Sequence, residues 1–494
     1  MGAGKSTGAR TLAVELGAEP LDSDRELEQR LGEPVESFFD REGEEAFRAR
    51  EEELVLELLA RPDAAVLALG GGALGSESVR AALVPHTVVH LEVEPDEAWR
   101  RASGKGRPLA RDRGRFAQLH GDRAAVYESV ADAVLPPGDR EALRHALPAL
   151  NALAEAPAGA RLVWATSSSG DYPVFLGHGL IGSGFFHPAE GRRLVVTDEN
   201  VARTQPFEGD ERIVTMAGEE HKSIHGAEFV LRALAEAGAE RGDIVVAVGG
   251  GVVGDLAGFC AAIYQRGIRH VQVPTTLVAQ VDSAYGGKTG VDLPEGKNYA
   301  GAFHQPSAVL CDPAALETLP PEELAAGYPE VVKTALIAGG PLWARVRQGG
   351  KVDAEVILGC VRTKLAVVAE DERDEGRRQV LNLGHTVGHA IEAATAYTRY
   401  RHGEAVALGL LVALRLSGRD ALRNEVAELL AARGLPATFA GASVDDVVEL
   451  VGRDKKRSGG RVPFVLVEAP GEVSPGHEVA PGDLRAAVEE VHAE

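Results

Sequence analysis

Strand-like and helical segments alternate through the first 150 residues of the chain. The segment STGARTLAVEL at 6–16 predicts a helix, whereas AAVLALG at 64–70 and TVVHLEV at 87–93 predict buried strands. Further helices are predicted near 97–103 and around 116–134. Strands that alternate with helices predict a parallel α/β sheet in this region.

A second α/β region begins after a stretch of small residues, proline and serine. We place a linker at 155–165, centred on 155–160, and expect a new strand to start at Arg161. Short β-branched runs then predict five strands, RRLVVTD at 192–198, ERIVTM at 211–216, DIVVAVGG at 243–250, HVQVP at 270–274 and SAVLCD at 307–312. Helical patterns separate these runs, which again predicts an α/β sheet.

From about Pro320 the pattern becomes mainly helical. Helices are predicted at 321–337, 352–372, 379–396 and 404–416, and RVPFVLVE at 461–468 predicts a late strand. The predicted organisation is α/β throughout, with domains at 1–154, 166–319 and 320–494 joined by the linker.

Composition narrows the possible partners. The 494 residues are 45% apolar and carry a formal net charge of −22, which argues against nucleic acid and anionic membranes as partners and leaves small-molecule substrates. The most membrane-like stretch, 243–264, contains Asp255 and many glycines, so we expect a buried strand and a helix there. The three cysteines lack CxxC spacing, which fits a reducing cytosol and a cytoplasmic location.

The chain opens on MGAGKSTGARTLAVELG, most of a phosphate-binding loop. Backbone N–H groups at a helix start and a lysine bind phosphates, and Ser6 is placed for Mg²⁺. The candidate loop residues are Gly2, Gly4, Lys5, Ser6 and Thr7. The full pattern includes an earlier glycine and a preceding strand, so we expect a further segment of about ten residues that ends in Gly before this loop.

Three more motifs in the first region suit phosphoryl transfer. In LDSD, we expect Asp22 and Asp24 on one face of an extended segment, close to Mg²⁺ water and a substrate hydroxyl. GEEAFRAREEE surrounds Arg48 with carboxylates, and LALGGGAL places 70–72 at a strand's carboxyl end, where open α/β sheets bind ligands. The arginine-rich RRASGKGRPLARDRGR favours polyphosphate contact.

Together these motifs resemble the shikimate kinase family over about residues 1–150. The resemblance rests on Asp22-Ser23-Asp24, Phe47-Arg48 with Glu51, Gly70-Gly71-Gly72, Arg107-Pro108-Leu109 and the spacing of Arg123 to Tyr127. It implies a P-loop kinase-like parallel sheet, its first strand missing from the sequence, and ATP with Mg²⁺ as cofactor. By this resemblance Lys5 holds the β/γ-phosphates of ATP, Ser6 binds Mg²⁺ with Asp22 in its water shell, and Arg107 closes over ATP. On the shikimate side, Asp24 activates the hydroxyl, Arg48 and Arg123 bind the carboxylate, and Gly71 approaches the ring.

In the second region, VAVGGGVVGDLAGF is a strand, a glycine turn and a helix start. Its spacing is not GxGxxG, so a dinucleotide-binding interpretation is weak by itself. VPTTLVAQVDSAYGGKTGVDLPEGKN, with hydroxyls, lysines and aspartates, suits a phosphorylated ligand that lies on a cofactor. His385 and His389 at i,i+4 suggest a metal pair that Glu330, Glu392 or His402 completes.

The motifs GGGVVGDLAGF, RGI, VPTTL, QVDSAYGGKTGVD, GKNYAGAFHQP, LPPEELAAGYPEVVK, LNLGHTVGHAIE, HGEAVALG and DKK stand in this order and resemble the 3-dehydroquinate synthase family from about residue 170 to 480. The resemblance implies an α/β NAD-binding domain, a mainly helical metal-binding domain, and NAD and one divalent metal, Zn²⁺ or Co²⁺. It implies conversion of 3-deoxy-arabino-heptulosonate 7-phosphate to 3-dehydroquinate and phosphate. A homodimer through this part is expected on the same ground.

The resemblance replaces the His385–His389 pair with Glu330, His385 and His402 as metal ligands, and places His389 near the substrate as a proton-transfer group. The implied substrate contacts are Asp282, Lys288, Lys333, Lys364, Arg378 and Asn382, with Lys455 and Lys456 from DKK. The implied NAD contacts are Asp198, Glu219, Lys222, Gly251, Val252, Val253, Gly254, Asp255, Thr275, Thr276, Lys288, Lys297 and Thr318.

Two alternatives are weighed against a bifunctional enzyme. A metal-dependent polyol or alcohol dehydrogenase shares the glycine turn and the two-domain layout, but it would not need the phosphate-binding set of Lys288, Arg378 and DKK. An active synthase could instead carry 1–150 as a non-catalytic nucleotide-sensing or structural appendage. An assay of ATP-dependent shikimate phosphorylation separates this last alternative from the bifunctional reading.

Overall fold

The computed structural model describes residues 2–63, 65–103, 112–136, 140–188, 190–205, 207–457 and 462–493, with backbone only at 140 and 453–457. Its helices are α1 (Lys5–Leu16), α2 (Ser23–Leu31), α3 (Val35–Leu59), α4 (Glu77–Ala82), α5 (Pro95–Ala102), α6 (Arg113–Val130), α7 (Arg140–Leu153), α8 (Glu199–Thr204), α9 (Ile224–Glu236), α10 (Gly251–Ile263), α11 (Pro321–Ala338), α12 (Gly340–Val346), α13 (Ala354–Glu370), α14 (His385–Ala394), α15 (His402–Leu416), α16 (Asp420–Ala431), α17 (Val444–Arg457) and α18 (Pro481–Glu489). Its strands are β1 (Glu19–Asp22), β2 (Ala65–Ala68), β3 (Val89–Leu91), β4 (Ala133–Leu135), β5 (Arg161–Ala165), β6 (Tyr172–Leu176), β7 (Arg193–Asp198), β8 (Glu211–Thr215), β9 (Ile244–Gly249), β10 (Arg269–Pro274), β11 (Lys288–Leu293), β12 (Gly296–Phe303), β13 (Ala308–Cys311), β14 (Phe464–Ala469) and β15 (Glu472–His477).

The chain divides into two compact units. The first comprises Met1–Trp164 with Pro173–Phe175, and the second comprises Ala165–Tyr172 with Leu176–Glu494. The second unit therefore contains both regions that the sequence separates at 319/320. No described helix combines the length and the apolar character that crossing a bilayer requires.

The strands of the first unit form two separate parallel sets, whereas the sequence predicted a single sheet. Strands β1 and β2 pair from Glu19↔Ala65 to Asp22↔Ala68, and β3, β4 and β5 form a separate parallel set. The strand predicted from Arg161 is present as β5, so the predicted linker 155–165 ends at 160.

The helix predicted at 116–134 ends earlier than expected. Helix α6 stops at Val130, and the fully buried strand β4 begins three residues later, at Ala133. The side chain of Asp132 accepts a hydrogen bond from the Val88 backbone at 2.8 Å, which ties this segment to the start of β3. The pairing of β4 with β3 therefore outweighs the helical pattern that continues to residue 134.

The second unit is built on a parallel sheet with the order β13-β10-β9-β7-β8. All five of its strands were predicted, and the apolar run at 243–264 forms β9 and α10 as expected. Thr197 of β7 lies opposite Val248 of β9, and Gly249 lies opposite Pro274 of β10. The carboxyl ends of these three strands therefore meet at one edge, where open α/β sheets bind ligands.

Three features of the second unit differ from the prediction. Strands β11 and β12 form an antiparallel hairpin that the sequence pattern did not indicate, and β15 pairs with the predicted late strand β14. The segment 379–396 was predicted as one helix but is broken, because a 3₁₀ turn ends at Asn382 and Gly384 takes a φ of 80° before α14 begins. The break places His385 at a helix start.

Candidate active sites

The phosphate-binding loop of the first unit is preorganised by two glycines. Gly4 caps α1 with a φ of 84°, and Gly2 has a φ of 77°. A Cβ on Gly2 would lie 2.4 Å from the carbonyl oxygen of Ala98. Left-handed backbone favours glycine at both positions. Lys5, Ser6 and Thr7 are the first residues of α1, so their N–H groups lie at the helix end that attracts anions.

Asp22 and Asp24 do not share the extended face predicted for them. Asp22 ends β1 and caps α2, since its carboxylate accepts hydrogen bonds from the Asp24 N–H at 3.1 Å and the Arg25 N–H at 3.4 Å. Asp24 therefore lies in the first helical turn. Its Oδ1 stands 2.7 Å from where a Cβ on Gly70 would lie, and Glu51 approaches the same point. The helix start, not strand periodicity, brings Asp24 to the glycine segment.

A cavity of about 410 Å³ opens beside this glycine segment. Arg48 and Arg123, both predicted to bind substrate, line it together with Gly71 and Tyr127. The Gly71 carbonyl accepts hydrogen bonds from Arg123 Nη1 at 2.7 Å and from the Tyr127 hydroxyl at 2.6 Å. Two guanidinium groups in one cavity suit a small carboxylate.

Buried Glu51 holds Arg48 in this cavity through an ion pair. Burial raises the pKa of Glu51, which the charge of Arg48 only partly offsets. The predicted ATP contact Arg107 lies outside the described residues.

In the second unit, predicted NAD contacts line the edge formed by β7, β9 and β10. Asp198 ends β7 and caps α8, Gly251 to Asp255 form the first turns of α10, and Thr275 follows β10. The Thr275 hydroxyl is buried and makes no hydrogen bond among the described residues, and the same holds for Thr197. Buried hydroxyls that lack partners beside a helix N-terminus fit a polar, anionic cofactor. Thr318 lies apart from these strand ends in the chain, and its hydroxyl accepts a hydrogen bond from Gln205 at 2.7 Å.

A buried lysine joins several of these contacts. Lys222 Nζ lies 2.8 Å from Glu219 and 3.4 Å from Asp255, and Lys297 Nζ lies 3.8 Å from Glu219. Burial works to lower the pKa of Lys222, but the neighbouring carboxylates outweigh it and raise the pKa. Burial also raises the pKa of Asp255 to about 6. The predicted cofactor residues 219, 222, 255 and 297 thus form one charged cluster.

The metal ligands implied by the resemblance converge in the helical part. Glu330 Oε1 from α11 lies 3.4 Å from His385 Nε2 and 3.5 Å from His402 Nε2. His389 lies beside His385 and His402, and one ring nitrogen from each of the three histidines lies within 4.8 Å of the other two. Glu392 is not part of the ligand group, since it binds His402 from the Nδ1 side at 3.3 Å.

The chemistry of this group fits a divalent cation. Glu330 is 1% exposed, and its Oε1 accepts no hydrogen bond among the described residues. Burial alone would lower the pKa of His402, but the carboxylates of Glu330 and Glu392 outweigh it and raise the pKa to about 9. The position therefore attracts positive charge. One carboxylate and two imidazoles leave a tetrahedral position open, as in catalytic Zn²⁺ sites. Glu330, His385 and His402 would hold the ion.

His389 differs from the other two histidines. Burial, together with His385 and His402, lowers its pKa to about 3, so the ring is neutral at physiological pH. His389 shares one centre with His385 and His402, so the geometry is compatible with the spacing-based pair as well as with the set that includes Glu330.

Several cationic side chains were predicted to bind substrate, and one of them, Lys333, lies next to a metal ligand. Buried Lys333 lies 2.5 Å from Glu330 and 2.8 Å from Asp282, and Lys364 donates to the Asp282 carbonyl at 2.6 Å. Arg378 is also buried. Lys288 forms an ion pair with Asp374, and Asn382 ends the 3₁₀ turn that precedes α14. The side chains of Lys455 and Lys456 lie outside what the structure describes.

Comparisons with known proteins identify the families that the two parts of the chain match. Family models match 3-dehydroquinate synthase N-terminal at residues 212–326, 3-dehydroquinate synthase C-terminal at 327–457 and shikimate kinase at 1–153. The 3-dehydroquinate synthase of Rhodopseudomonas palustris strain BisB18 is 45% identical over 326 residues, which are 60% of this chain and 85% of that protein. The chain belongs to the 3-dehydroquinate synthase family.

Two further similarities extend this finding. The synthase of Halorhodospira halophila is 42% identical over 66% of this chain and 98% of its own length. The solved structure of 2-epi-5-epi-valiolone synthase from Streptomyces hygroscopicus subsp. jinggangensis 5008, with NAD⁺ and Zn²⁺ bound, is 25% identical with a TM-score of 0.59, covering 65% of this chain and 96% of that one. Because a shikimate kinase region precedes the synthase region, the chain is a bifunctional enzyme of the shikimate pathway.

Sequence reasoning missed some residues that support the candidate sites of the two units. Glu372 is buried and tied to the segment that carries Arg378, but no periodicity or motif marks it. Tyr127 was named only for its spacing from Arg123, although its hydroxyl donates a hydrogen bond to the Gly71 carbonyl. Glu392 was considered as a metal ligand. Its contact with Nδ1 of His402 depends on the packing of α14 against α15, which a sequence pattern does not reveal.

Proposed function

We propose that the second unit converts 3-deoxy-arabino-heptulosonate 7-phosphate to 3-dehydroquinate and inorganic phosphate, with NAD and one Zn²⁺ or Co²⁺ ion. We also propose that the first unit transfers the γ-phosphoryl group of ATP, bound with Mg²⁺, to the 3-hydroxyl of shikimate. The observation that carries the first proposal is the buried Glu330 carboxylate, which lies between two imidazoles and adjoins the Lys333 ammonium.

In the synthase reaction, bound NAD supplies a hydride acceptor that is restored in each turnover, and the bound metal polarises hydroxyl and ketone oxygens. The side chains of this chain bind and orient the substrate. Arg378 and Lys288 neutralise the substrate phosphate. Lys333, fixed by Glu330 and Asp282, places an ammonium beside the substrate oxygens. His389 places a ring nitrogen beside the metal ligands, where it would relay a proton of the substrate.

In the kinase reaction, positioning and charge neutralisation do most of the work. The N–H groups at the start of α1 and the Lys5 ammonium bind the phosphates of ATP. Arg48 and Arg123 bind the shikimate carboxylate in the cavity beside Gly71. Asp24, held in the first turn of α2, orients the attacking hydroxyl and takes its proton.

Two variants of the full chain test these proposals, each serving as the control for the other. We expect Lys5→Met to abolish ATP-dependent shikimate phosphorylation and to leave phosphate release from the heptulosonate phosphate unchanged. We expect His385→Ala to have the opposite effect. Coupled assays of both reactions, with NAD and Zn²⁺ present, measure this.

The possible outcomes separate the alternatives. Absence of phosphate release by the wild-type chain would contradict the proposed synthase function. Stoichiometric reduction of NAD by a polyol would favour a dehydrogenase. Phosphate release without any shikimate phosphorylation would favour the alternative in which the first unit is a non-catalytic appendage.

A further inference from the structure

Two side chains of α6 converge on one carbonyl of the glycine segment 70–72 in the first unit. Arg123 and Tyr127 are four residues apart, so they lie on the same face of the helix. The Gly71 carbonyl accepts hydrogen bonds from both, at 2.7 Å from Arg123 Nη1 and at 2.6 Å from the Tyr127 hydroxyl. Both donors line the cavity of about 410 Å³. The carbonyl therefore joins a predicted substrate contact to a tyrosine that has no assigned role.

The Tyr127 side chain is held in place and keeps its proton. Its ring lies beside His90, with the ring centroids 5.6 Å apart, and packs against a buried cluster that includes Val55 and Leu74. Burial raises the pKa of the Tyr127 hydroxyl, and the charge of Arg123 offsets this only in part. The hydroxyl is therefore a hydrogen-bond donor at physiological pH, fixed by the packing of its own ring.

The glycine segment is also held at its other end. The Gly70 N–H donates to the hydroxyl of buried Ser23 at 2.7 Å. A Cβ on Gly72 would overlap the Arg48 guanidinium, so this arginine packs directly on the backbone of the segment. Because glycines restrict their own backbone little, side chains must fix the segment. Ser23 does so at Gly70, and Tyr127 does so at Gly71 independently of Arg123.

The two guanidinium groups of the cavity differ in their charge partners. Arg48 forms ion pairs with Glu44 and Glu51. Within the part of the chain that the structure describes, no carboxylate forms an ion pair with Arg123, which is held by the neutral Gly71 carbonyl. Arg123 therefore provides much of the attraction of this cavity for an anion. The orientation of its planar guanidinium decides how well a carboxylate is bound.

We propose that Tyr127 is a positioning residue of the kinase unit, whose hydroxyl shares the Gly71 carbonyl with Arg123 and so orients the Arg123 guanidinium for the carboxylate of shikimate. The proposal rests on the proposed kinase function, which makes Arg123 a carboxylate contact. Tyr127 acts through Gly71 and Arg123 and takes no part in phosphoryl transfer. The four-residue spacing of the two side chains on α6 thereby has a physical reason, because both must reach one carbonyl.

The test uses variants of the full chain and measures binding by calorimetry, without turnover. Tyr127→Phe removes only the hydroxyl and keeps the ring with its packing. Ser129→Ala is the matched control, because it removes an exposed hydroxyl that bonds only within the same helix. Each change at Tyr127 is also made in an Arg123→Lys background, which keeps the positive charge but has no planar guanidinium to orient.

We expect Tyr127→Phe to raise the dissociation constant for shikimate about fivefold to tenfold, as the loss of one hydrogen bond predicts. The KM for shikimate should rise in parallel, with a much smaller change in kcat. The dissociation constant for ATP with Mg²⁺ should be unchanged, and Ser129→Ala should behave like the wild type. In the Arg123→Lys background the further loss from Tyr127→Phe should be less than about twofold, because the hydroxyl acts through the guanidinium.

Three results would overturn the proposal. One is a Tyr127→Phe variant whose shikimate affinity matches that of Ser129→Ala. The second is an equal loss of shikimate and ATP affinity, which would show a general structural role of the hydroxyl. The third is an equal loss of shikimate affinity with arginine and with lysine at position 123. A wild-type chain that binds shikimate without phosphorylating it contradicts the proposed function, whereas the binding measurements still test the role of Tyr127.

Discussion

Glu392 lies between two of the predicted binding groups of the synthase unit. Its Oε2 lies 3.3 Å from His402 Nδ1, and its Oε1 accepts a hydrogen bond from Lys297 Nζ at 3.0 Å. A metal-binding histidine commonly donates the N–H of its second ring nitrogen to a carboxylate, which fixes the tautomer and the ring plane. Glu392 thereby turns Nε2 of His402 toward Glu330 and holds a lysine of the cofactor cluster.

We expect Glu392→Gln to weaken Zn²⁺ binding by roughly 10- to 100-fold, because the neutral amide no longer raises the basicity of His402. Competition with a chromophoric chelator measures the affinity of the metal-free chain. Glu322→Gln, an exposed change in the first turn of α11, is the control. Equal zinc affinity in the two variants would contradict this role for Glu392.

The residue-level predictions depended on the motifs that carry the resemblance. Glu330, His385 and His402 lie in three helices separated along the chain, yet the family motifs identified all three, and the structure brings them together. The i,i+4 spacing alone favoured His385 with His389, because periodicity reports only neighbours on one helix. For Asp22 and Asp24 the predicted extended conformation was wrong, since a cap on α2 cannot be distinguished from an extended pair by spacing.

At the scale of elements, close packing of three helices brings the metal ligands together. Glu330 lies in α11, His385 in α14 and His402 in α15. A Cβ on Gly388 of α14 would lie 3.1 Å from the Ala405 carbonyl of α15, and one on Gly409 of α15 would lie 2.9 Å from the backbone N of Gly388. Backbones can approach this closely only where a Cβ is absent.

We expect Gly409→Ala to destabilise the second unit by roughly 1–3 kcal/mol, because the methyl group separates α14 from α15. Helix propensity alone predicts the opposite sign. Gly452→Ala in α17 is the matched control, since a Cβ there meets nothing within 4 Å, and it should stabilise by roughly 0.5–1 kcal/mol. Urea unfolding followed by circular dichroism measures both. A stabilising Gly409→Ala would contradict the packing argument.

The elements themselves were predicted where the pattern was strong. The cores of β7 and β9 are apolar and rich in valine, so burial on both faces could be predicted from the sequence. In β10 the burial of His270 and Gln272 could not be predicted in this way. The hairpin of β11 and β12 was missed because KTGVDLPEGKNYAGAF is rich in glycine and charge and lacks apolar alternation. Its strands are specified by pairing with each other, which is a non-local property.

At the scale of the whole chain, a net charge of −22 coexists with sites for anionic ligands. Screening limits the reach of exposed charges to about 8 Å at physiological ionic strength, so local donors decide binding. In the first unit these are Arg48, Arg123 and the start of α1. In the second unit they include Lys333, Lys364 and Arg378, all buried. Each site therefore acts through its own short-range field.

We expect each ligand set to slow amide hydrogen exchange in the segments that line its own site, because a ligand stabilises the state that it binds by RT ln(1 + [L]/Kd). At 100 times Kd this amounts to about 2.7 kcal/mol, or roughly a hundredfold slower exchange by local opening. Shikimate should protect 44–52 and 121–128, whereas NAD should protect 195–201, 248–256 and 272–277. Exchange followed by mass spectrometry measures both sets in one experiment.

Lys5→Met should remove protection by ATP in the first turn of α1 while NAD protection persists, because the loop and the strand edge bind through different donors. Protection of 44–52 by NAD alone, at the level that shikimate produces, would contradict separate ligand sites.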